Sequence, residues 1–388
     1  MPVVFLHRMN MKPHIEPITK PVFKLGQPDD NYKYRALPSP TGKYPYHLNI
    51  QDVVAGVNTE KMVFHMGGDT GSITGSVGTK QVVSEMAGQY KASRPEDRPQ
   101  FFYHLGDIVY HHGEADRFDK QFFEPFAPYP GPIFAIAGNH DSDVNPDSPV
   151  VYQSLDSFKA VFCDTVSRKV SFSAQSARKS MVQPNVYWTL ETPLANIIGL
   201  HSNIPKYGVI TNEQREWFIA ELKTADAERG DKALLICVHH APYSADTNHG
   251  SSQPMINFLE GVFEETGIKP DMVLSGHVHN YQRFSKQYAD GKTVPYIVAG
   301  SGGFDELNAL ANATDKGYTN KSSLFDDVQL EAYCDNKHGF LKISIEKTTS
   351  GLSITGKYYA LSSTNETNGK AITTLADHFT IPLAELAY

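Results

Sequence analysis

Residues 104–114 read HLGDIVYHHGE, in which a short apolar approach ends at a glycine-aspartate pair and a tyrosine and two histidines follow. Apolar residues that change abruptly to glycine and aspartate are typical of a buried strand at its carboxyl end. Asp107 would therefore lie at that end, with Tyr110, His111 and His112 just beyond it. The stretch raises the question of which of these side chains bind a metal ion.

The same pattern recurs along the chain from residue 61 onward. Seven apolar runs end in Gly, Asp, Asn, His or Ser: MVFHMGGDT (62–70), FFYHLGD (101–107), IFAIAGNHD (133–141), NIIGLHSN (196–203), LLICVHH (234–240), MVLSGHVH (272–279) and YIVAGSGG (296–303). Each is typical of a buried strand that delivers polar residues from its carboxyl end. We expect the seven strands to share one functional edge.

Helices are predicted between several of these strands. In TNEQREWFIAEL (211–222), Thr211 and the glutamine three residues later have capping-box spacing. In PMINFLEGVFEETG (254–267), Pro254 suits the first helical position and Gly267 suits a helix end. Alternating strands and helices indicate an α/β fold, whose ligands bind outside the carboxyl ends of the strands.

The chain divides by composition. Its N-terminal part is rich in proline and polar residues without a sustained period, so we expect residues 1–55 to form an extension that packs on the main domain. Residues 56–388 would form one catalytic domain, in which a hairpin at about 338–360 completes a sheet.

Composition also excludes several classes of protein. The chain is 40% hydrophobic and 20% charged, and its net charge of −8 gives no basic footprint for nucleic acid. No apolar run approaches the roughly 20 residues of a membrane span, and no signal peptide is evident, so a cytoplasmic location is the default expectation. Cys163, Cys237 and Cys334 are scattered and form no CxxC pair, which predicts packing residues rather than disulfides or thiolate zinc ligands.

The strand ends supply a mixed set of candidate ligands: Asp69, Asp107, Tyr110, Asn139, His140, His239, His277 and His279. Oxygen and imidazole ligands together suit zinc, iron or manganese rather than calcium or magnesium alone. The set is larger than one tetrahedral ion requires. Two ions that share a carboxylate fit better, because a pair about 3.5–4 Å apart can activate water on one side of a phosphate and neutralise charge on the other.

In order along the chain, GDTG, GDIVY, GNHD, ICVH and GHVH resemble the motifs of the purple acid phosphatases, within the calcineurin-like metallophosphoesterase superfamily. The resemblance covers about residues 61–305, and SGHVHNYQR and GDIVY are its most specific parts. It implies a four-layer αββα sandwich, with two mixed sheets flanked by helices. The chain departs from the family in having GNHD for GNHE, Ile236 for valine, and no room for a separate N-terminal β-domain.

The resemblance also implies a ligand set. The superfamily usually has Asp-x-His in its first motif, whereas Gly71 stands here in place of that histidine. In the purple acid phosphatases a tyrosinate from GDxxY fills the gap and favours ferric iron, and Tyr110 matches it. Asp69, Asp107, Tyr110 and His279 would then hold Fe(III), with Asp107 bridging, and Asn139, His239 and His277 would hold a divalent zinc, manganese or iron. His140 and His249 match family histidines that contact phosphate or protonate the leaving group.

Other residues near the motifs have simpler interpretations. Neighbouring side chains on an extended segment point to opposite sides, so His239 rather than His240 is expected to face the ions. His111 and His112 are possible supporting residues, and His65, His104 and His201 are expected to be structural. The polar segment 163–185 carries Arg168, Lys169, Arg178 and Lys179 and is either a solvated loop or a lid that gathers anionic substrate.

The predicted function is a dinuclear-metal phosphomonoesterase, an acid phosphatase in which a metal-held hydroxide attacks a small phosphorylated substrate. One alternative is a phosphodiesterase of the same superfamily, acting on a cyclic nucleotide or a lipid-derived diester. A third is a non-catalytic metal-binding protein, against which the intact ligand set argues. Gly71 and Tyr110 favour the monoesterase.

Overall fold

The computed structural model describes residues 18–362 and 372–384. Its strands are β1 (Phe23–Lys24), β2 (His47–Asn49), β3 (Lys61–Gly67), β4 (Phe102–His104), β5 (Ile133–Ala135), β6 (Trp188–Glu191), β7 (Ala195–Leu200), β8 (Ala233–Val238), β9 (Met272–Ser275), β10 (Tyr281–Gln287), β11 (Thr293–Ala299), β12 (Tyr318–Thr319), β13 (Val328–Cys334), β14 (Gly339–Thr348), β15 (Gly351–Ser362) and β16 (Ile372–Ala384).

The helices are α1 (Val77–Ala92), α2 (Ala115–Phe118), α3 (Glu124–Phe126), α4 (Asn139–Ser142), α5 (Asp156–Phe162), α6 (Asn212–Asp226) and α7 (Gln253–Thr266). A π-helical turn, Asp119–Phe123, joins α2 to α3. Short 3₁₀ turns occur at Asn31–Lys33, Ile50–Asp52, Pro95–Asp97 and Ser323–Phe325.

Two large mixed sheets carry the fold. One has eight strands in the order β13-β10-β11-β9-β8-β7-β6-β2, and the other has six in the order β16-β15-β14-β3-β4-β5. In the first, β7, β8, β9 and β11 are parallel neighbours. In the second, β3, β4 and β5 are parallel, while β14 and β15 pair antiparallel. The prediction of two mixed sheets is confirmed.

The two sheets pack face to face around one apolar core. Trp188 of the eight-stranded sheet stacks on Tyr103 of the six-stranded sheet with ring centroids 6.1 Å apart, and its indole N–H donates to the Ala135 carbonyl at 3.2 Å. Helix α1 packs beside β14, and α6 packs beside β7 and α7. The layers therefore run helix, sheet, sheet, helix, as the α/β prediction of an αββα sandwich required.

All seven predicted strands form, although the two sheets share them: β3, β4 and β5 lie in one and β7, β8, β9 and β11 in the other. Both predicted long helices form as well. The Thr211 side chain accepts from the Gln214 N–H at the start of α6. In α7 the cap is Ser252, which places Pro254 at the second helical position rather than the first, and Gly267 ends the helix in a left-handed conformation.

The two ends of the described chain join the sheets. Strand β2 pairs with β6 in parallel, a strand that the aperiodic N-terminal sequence did not predict. The backbone of Val22 also bonds to Ser244 and Ser251. Strands β14 and β15 form a hairpin beside β3. Residues 1–17 of the predicted extension lie outside the described residues, and the division at residue 55 stays a prediction. Within the described ranges, no helix is both long and apolar enough to cross a membrane.

Candidate active site

The turns that follow β3, β4 and β9 bring three predicted ligands together. Asp69, Asp107 and His277 all have left-handed backbone, with φ of 58°, 55° and 67°. Asp and His are among the few non-glycine residues that tolerate this conformation. The Asp69 N–H donates to the Gly106 carbonyl at 2.9 Å, and the Thr70 N–H donates to the Asp107 carbonyl at 3.1 Å. Backbone hydrogen bonds thus tie the first two turns to each other.

The first predicted ligand set converges on the Tyr110 hydroxyl. That oxygen lies 3.4 Å from Asp69 Oδ1, 3.2 Å from Asp107 Oδ2 and 3.3 Å from His279 Nε2. A phenol has one proton, so it cannot donate to all three neighbours at once. Such a cluster of buried lone pairs is stabilised by a cation.

The second predicted set converges on the Asn139 side-chain oxygen. Asn139 Oδ1 lies 3.1 Å from His239 Nε2 and 3.0 Å from His277 Nδ1. His239 Nε2 is in turn 3.2 Å from Asp107 Oδ2. Asp107, His239 and His277 each offer a ligand atom within 4.8 Å of the others. One oxygen, Asp107 Oδ2, is therefore next to both sets.

Neighbouring groups fix the orientation of these ligands. His239 Nδ1 donates to the Leu105 carbonyl at 2.8 Å, which directs Nε2 toward the cluster. Asp107 Oδ1 accepts from the His140 N–H at 2.9 Å, and Asp69 Oδ2 accepts from the His277 N–H at 2.9 Å. Each carboxylate thus keeps its other oxygen for the cluster.

The absence of a side chain at Gly71 makes room for the Tyr110 ring. A Cβ at position 71 would lie 2.6 Å from Tyr110 Cδ2 and 2.8 Å from Gln121 Oε1, closer than van der Waals contact allows. The same Gln121 holds the tyrosine backbone, because its Oε1 accepts from the Tyr110 N–H at 2.8 Å and its Nε2 donates to the Tyr110 carbonyl at 3.0 Å. The phenol ring occupies the room that a side chain at position 71 would need.

Two supporting residues were missed in the sequence. Asp141 Oδ1 accepts from the N–H groups of Ile108 and Val109 at 2.9 and 3.1 Å, and its Oδ2 accepts from Gly138 at 2.8 Å. It thereby joins the turns that carry Asp107 and Asn139. Gln121 lies far from every motif, and nothing in the sequence distinguishes it. Asp141 could have been found, because it is the last residue of GNHD.

Burial and charge set the protonation of the cluster. Burial lowers the pKa of His279 to about 4 and that of His277 well below the ordinary value, so both offer neutral nitrogen lone pairs. Burial raises the pKa of Asp69. For Asp107 burial acts in the same direction, but the charges of His239 and His140 and the hydrogen bonds from both together outweigh it and hold the pKa below the usual range. Asp107 in turn raises the pKa of His239 to about 9 against the effect of burial, so a bound cation would take the place of the His239 proton. Neutral imidazoles and buried carboxylates are suitable metal ligands, so the residues present fit a metal centre.

A cavity of about 290 Å³ opens above the cluster. Both predicted substrate residues, His140 and His249, line it. The His140 ring nitrogen Nδ1 lies 2.9 Å from the His111 carbonyl oxygen. The ring centroids of His249 and His277 are 4.2 Å apart. Lys33 and Lys206 also line the cavity, and the sequence interpretation did not include them.

The remaining histidines have structural contacts. His240 Nδ1 bonds to Ser202 Oγ at 2.7 Å. His65 bonds to Tyr129 and Gln89, and burial lowers its pKa to about 3. His104 accepts from the Gly106 N–H at 3.1 Å and lies 2.8 Å from Thr70 Oγ1, so it braces both aspartate turns. His201 is buried with its Nδ1 unbonded, and His112 pairs with Asp143 at 3.1 Å.

The segment 163–185 does not cover the cavity above the cluster in this structure. None of its residues lines the cavity above the cluster. Arg178 is buried and donates to the carbonyls of Gly131, Phe126 and Tyr129 at 3.1, 3.3 and 2.6 Å. Arg168 pairs with Asp164 at 2.8 Å. The lid hypothesis is wrong for Arg178, because its guanidinium serves a neighbouring loop. The alternative prediction of a solvated loop is also incomplete, because the Arg178 side chain is buried and bonded to backbone carbonyls.

Comparison with known proteins supports the motif assignment. A family model for calcineurin-like phosphoesterases matches residues 68–281, more than half of the chain. Purple acid phosphatase 21 of Arabidopsis thaliana is 30% identical over 152 residues, or 36% of this chain and 33% of that protein. Purple acid phosphatase 18 of the same plant is 25% identical over 219 residues, or 53% of this chain and 45% of that protein. The match thus spans less than half of each relative.

Solved structures share the fold. Purple acid phosphatase PPD1 from yellow lupin seeds superposes with a TM-score of 0.56 at 16% identity, over 83% of this chain and 54% of that one. PhoD superposes with a TM-score of 0.51 at 12% identity, over 90% of this chain and 72% of that one. At these identities the likeness establishes the architecture alone, and it agrees with the αββα sandwich.

Proposed function

The chain belongs to the calcineurin-like phosphoesterase family, and we propose that it is a dinuclear-metal phosphomonoesterase of the purple acid phosphatase type. Membership of that family and its phosphatase relatives imply a metal-dependent hydrolase. The proposal adds the substrate class, a small phosphate monoester, and the role of each ligand.

The observation that carries the proposal is the position of Asp107 Oδ2. It lies 3.2 Å from the Tyr110 hydroxyl in one ligand set and 3.2 Å from His239 Nε2 in the other. A carboxylate shared in this way suits a pair of cations rather than one. Two bound cations would polarise the phosphoryl group and promote ionisation of the attacking water. The assigned holders are Asp69, Asp107, Tyr110 and His279 for one ion, and Asn139, His239 and His277, with Asp107 shared, for the other.

Tyr110 decides the kind of ion that we propose for the first set. A phenolate is a hard, strongly donating anion, and metal coordination is the means by which a buried phenol loses its proton. Burial raises the pKa of Tyr110 well above its ordinary value, so a strongly acidic cation is needed to ionise it. Fe(III) meets that requirement, and zinc, manganese or iron in the divalent state suits the amide and imidazole ligands of the second set.

The chain's own residues would hold and move protons around the phosphate. His140 and His249 line the cavity and are not among the proposed ligands. His249 is held by its loop, because Asp246 accepts from the N–H groups of Asn248, His249 and Gly250 at 2.7, 3.0 and 2.7 Å. We assign His249 to proton donation to the leaving group and His140 to the equatorial phosphate oxygens. Burial lowers the pKa of His249 well below its ordinary value, so the donor role requires that the charge of the bound phosphate raise it again.

Turnover of phenyl phosphate and of bis(4-nitrophenyl) phosphate across pH, on protein whose metal content has been measured, tests the proposal. We expect two metal ions per chain and a kcat/KM for the monoester that clearly exceeds the value for the diester. Preferential diester cleavage would instead assign the chain to the phosphodiesterases of this family. Full metal occupancy with neither activity would reject both enzymes.

A further inference from the structure

Two lysines enter the cavity from outside the ligand motifs. Lys33 lies in the 3₁₀ turn Asn31–Lys33 of the N-terminal segment, and Lys206 lies in the loop after β7. The lining also includes Asp30 and Asp143, so the availability of the lysine charges depends on how these carboxylates are engaged. The two lysine side chains face the same space as the proposed substrate histidines.

The lysines at the mouth repel one another. Lys206 is about half buried, and its pKa is lowered first by burial and then by the charge of Lys24, against an opposing effect of Asp246 and Asp30, with Lys33 as a smaller lowering influence. Among the described residues, neither Lys33 nor Lys206 has a carboxylate within 4.0 Å of its ammonium group, whereas Lys24 donates to the Asn248 carbonyl at 2.8 Å. Two ammonium groups that line one cavity without a direct ion pair favour binding of an anion there.

The carboxylates nearest the mouth are already engaged. Both Asp30 oxygens accept from the Lys206 backbone N–H, at 3.2 and 3.0 Å, which fixes the loop without pairing with its ammonium group. Asp246 accepts the three N–H groups of the His249 loop. Asp143 pairs with His112 at 3.1 Å and accepts from the Val144 N–H at 2.8 Å. The backbone around Lys206 is therefore fixed while its charge remains available.

Lys33 and Lys206 lie in segments outside the ligand motifs, and their ammonium groups are not metal ligands. The scissile phosphate already has the proposed ions and two histidines for its charge, so the lysines are left for another part of the substrate. Ile204 and Phe304 also line the cavity, and they offer apolar contact to an organic body between the two charged ends.

We infer that Lys33 and Lys206 form a second anion subsite, and that the preferred substrates are phosphate monoesters that carry a further negative group, such as a carboxylate, on the leaving group. The inference rests on the proposed phosphomonoesterase function and adds the class of its substrates. It also gives the N-terminal segment a role in substrate choice.

A matched pair of substrates isolates the second charge. 4-Carboxyphenyl phosphate and 4-carbamoylphenyl phosphate have nearly the same size, and they differ by one negative charge at the far end. We expect the wild-type protein to prefer the carboxylate by about three- to tenfold in kcat/KM, mainly through KM, and to lose much of that preference in high salt. Lys206→Met and Lys33→Met should each reduce the preference, because methionine keeps the aliphatic packing and removes the charge.

Lys223→Met is the matched control, because Lys223 is an exposed lysine on α6 outside the cavity lining. It should keep the full wild-type preference. Equal kcat/KM for the two substrates in the wild-type protein would overturn the subsite while leaving the phosphomonoesterase proposal intact. Equal losses on both substrates in Lys206→Met would also overturn it, since that result indicates a general role. Failure to hydrolyse either substrate with both metals bound would count against the enzyme proposal itself.

Discussion

Two regions of the site differ in the segments that form them: the cluster of proposed metal ligands, and the mouth of the cavity with Lys33 and Lys206. In the cluster, ligands follow directly from strand ends, and backbone hydrogen bonds such as that from the His277 N–H to Asp69 hold them at 2.9 Å. At the mouth, Lys33 and Lys206 come from a short N-terminal turn and an inter-strand loop. One region is fixed by the sheets, and the other is fixed by a few side-chain contacts to loop backbone.

The difference separates two tasks. Metal chemistry tolerates little displacement of its ligands, and the proposed ligands are attached to strand ends and to one another. Substrate choice depends on groups farther from the reacting atoms, and loops can vary there without disturbing the ligands. Substitutions in the cluster should therefore affect all substrates, whereas substitutions at the mouth should affect some substrates more than others.

Asp107→Asn should have the largest effect. It removes the charge next to both ligand sets while keeping the shape and the bond from the His140 N–H at 2.9 Å. We expect fewer than two metal ions per chain by elemental analysis and a loss of kcat of several orders of magnitude, equal for every phosphate monoester. Normal metal content with near-normal kcat would show that Asp107 is not the shared ligand.

His249→Ala tests a residue on the boundary between the two regions. Because His249 is the proposed proton donor, we expect its loss to leave the metal content unchanged and to lower kcat for alkyl phosphates by about a hundredfold. The fall should be much smaller for 4-nitrophenyl phosphate, because a good leaving group departs without protonation. The slope of log kcat against leaving-group pKa measures the effect. A uniform fall over the series would instead assign His249 to phosphate binding.

Tyr110→Phe should have a smaller effect on rate and a clear spectroscopic one. A tyrosinate bound to ferric iron absorbs visible light by charge transfer, so the oxidised, iron-loaded wild-type protein should be violet to pink if Tyr110 is a ligand as proposed. The variant should lose the visible band and about tenfold in kcat, while Asp69, Asp107 and His279 keep the ion. Gly71→Ala should also shift or weaken the band, because its Cβ would lie 2.6 Å from the Tyr110 ring. A colourless wild-type protein with ferric iron bound would exclude Tyr110 as a ligand.

His47→Gln should have the smallest effect, and it tests how firmly the N-terminal segment is attached. His47 contacts Glu221 at 2.7 Å and Glu191 at 2.8 Å, and the hydrogen bond to Glu221, opposed by burial, raises its pKa. A raised folded pKa stabilises the protein below the unfolded value of 6.5, and this stabilisation is lost as pH rises through the folded value. We expect the variant's free energy of unfolding, measured with urea, to fall by about 0.5–1 kcal/mol at pH 5.5 and by less at pH 9. The expected loss is small because the pair is partly exposed to solvent. An equal loss at both pH values would exclude the ion pair as its cause.

The sequence predicted the cluster better than the mouth for a physical reason. Strand ends such as GDIVY and GHVH put chemistry and geometry in the same few residues, so the motifs and their resemblance to those of the purple acid phosphatases predicted that Tyr110, Asp107 and His279 would meet. The three-residue strand β2 has no periodic pattern, because its pairing with β6 depends on tertiary contact. Lys206 reaches the cavity through a loop whose path depends on the bond to Asp30. A distant contact of that kind leaves no local pattern in the sequence.

The left-handed backbone at Asp69, Asp107 and His277 has a consequence for directed evolution. A non-glycine residue in that region costs on the order of 1 kcal/mol, and glycine would relieve the cost at each position. Ions bound to these side chains stabilise the folded state by mass action, so the advantage of glycine should reverse when metal is present. A library screened for heat resistance with a chelator should therefore enrich glycine most at position 277, because glycine at 69 or 107 would leave the His277 or His140 N–H without its acceptor. The same library screened with metal should retain aspartate and histidine at all three positions, so selection for stability without metal would remove a proposed ligand.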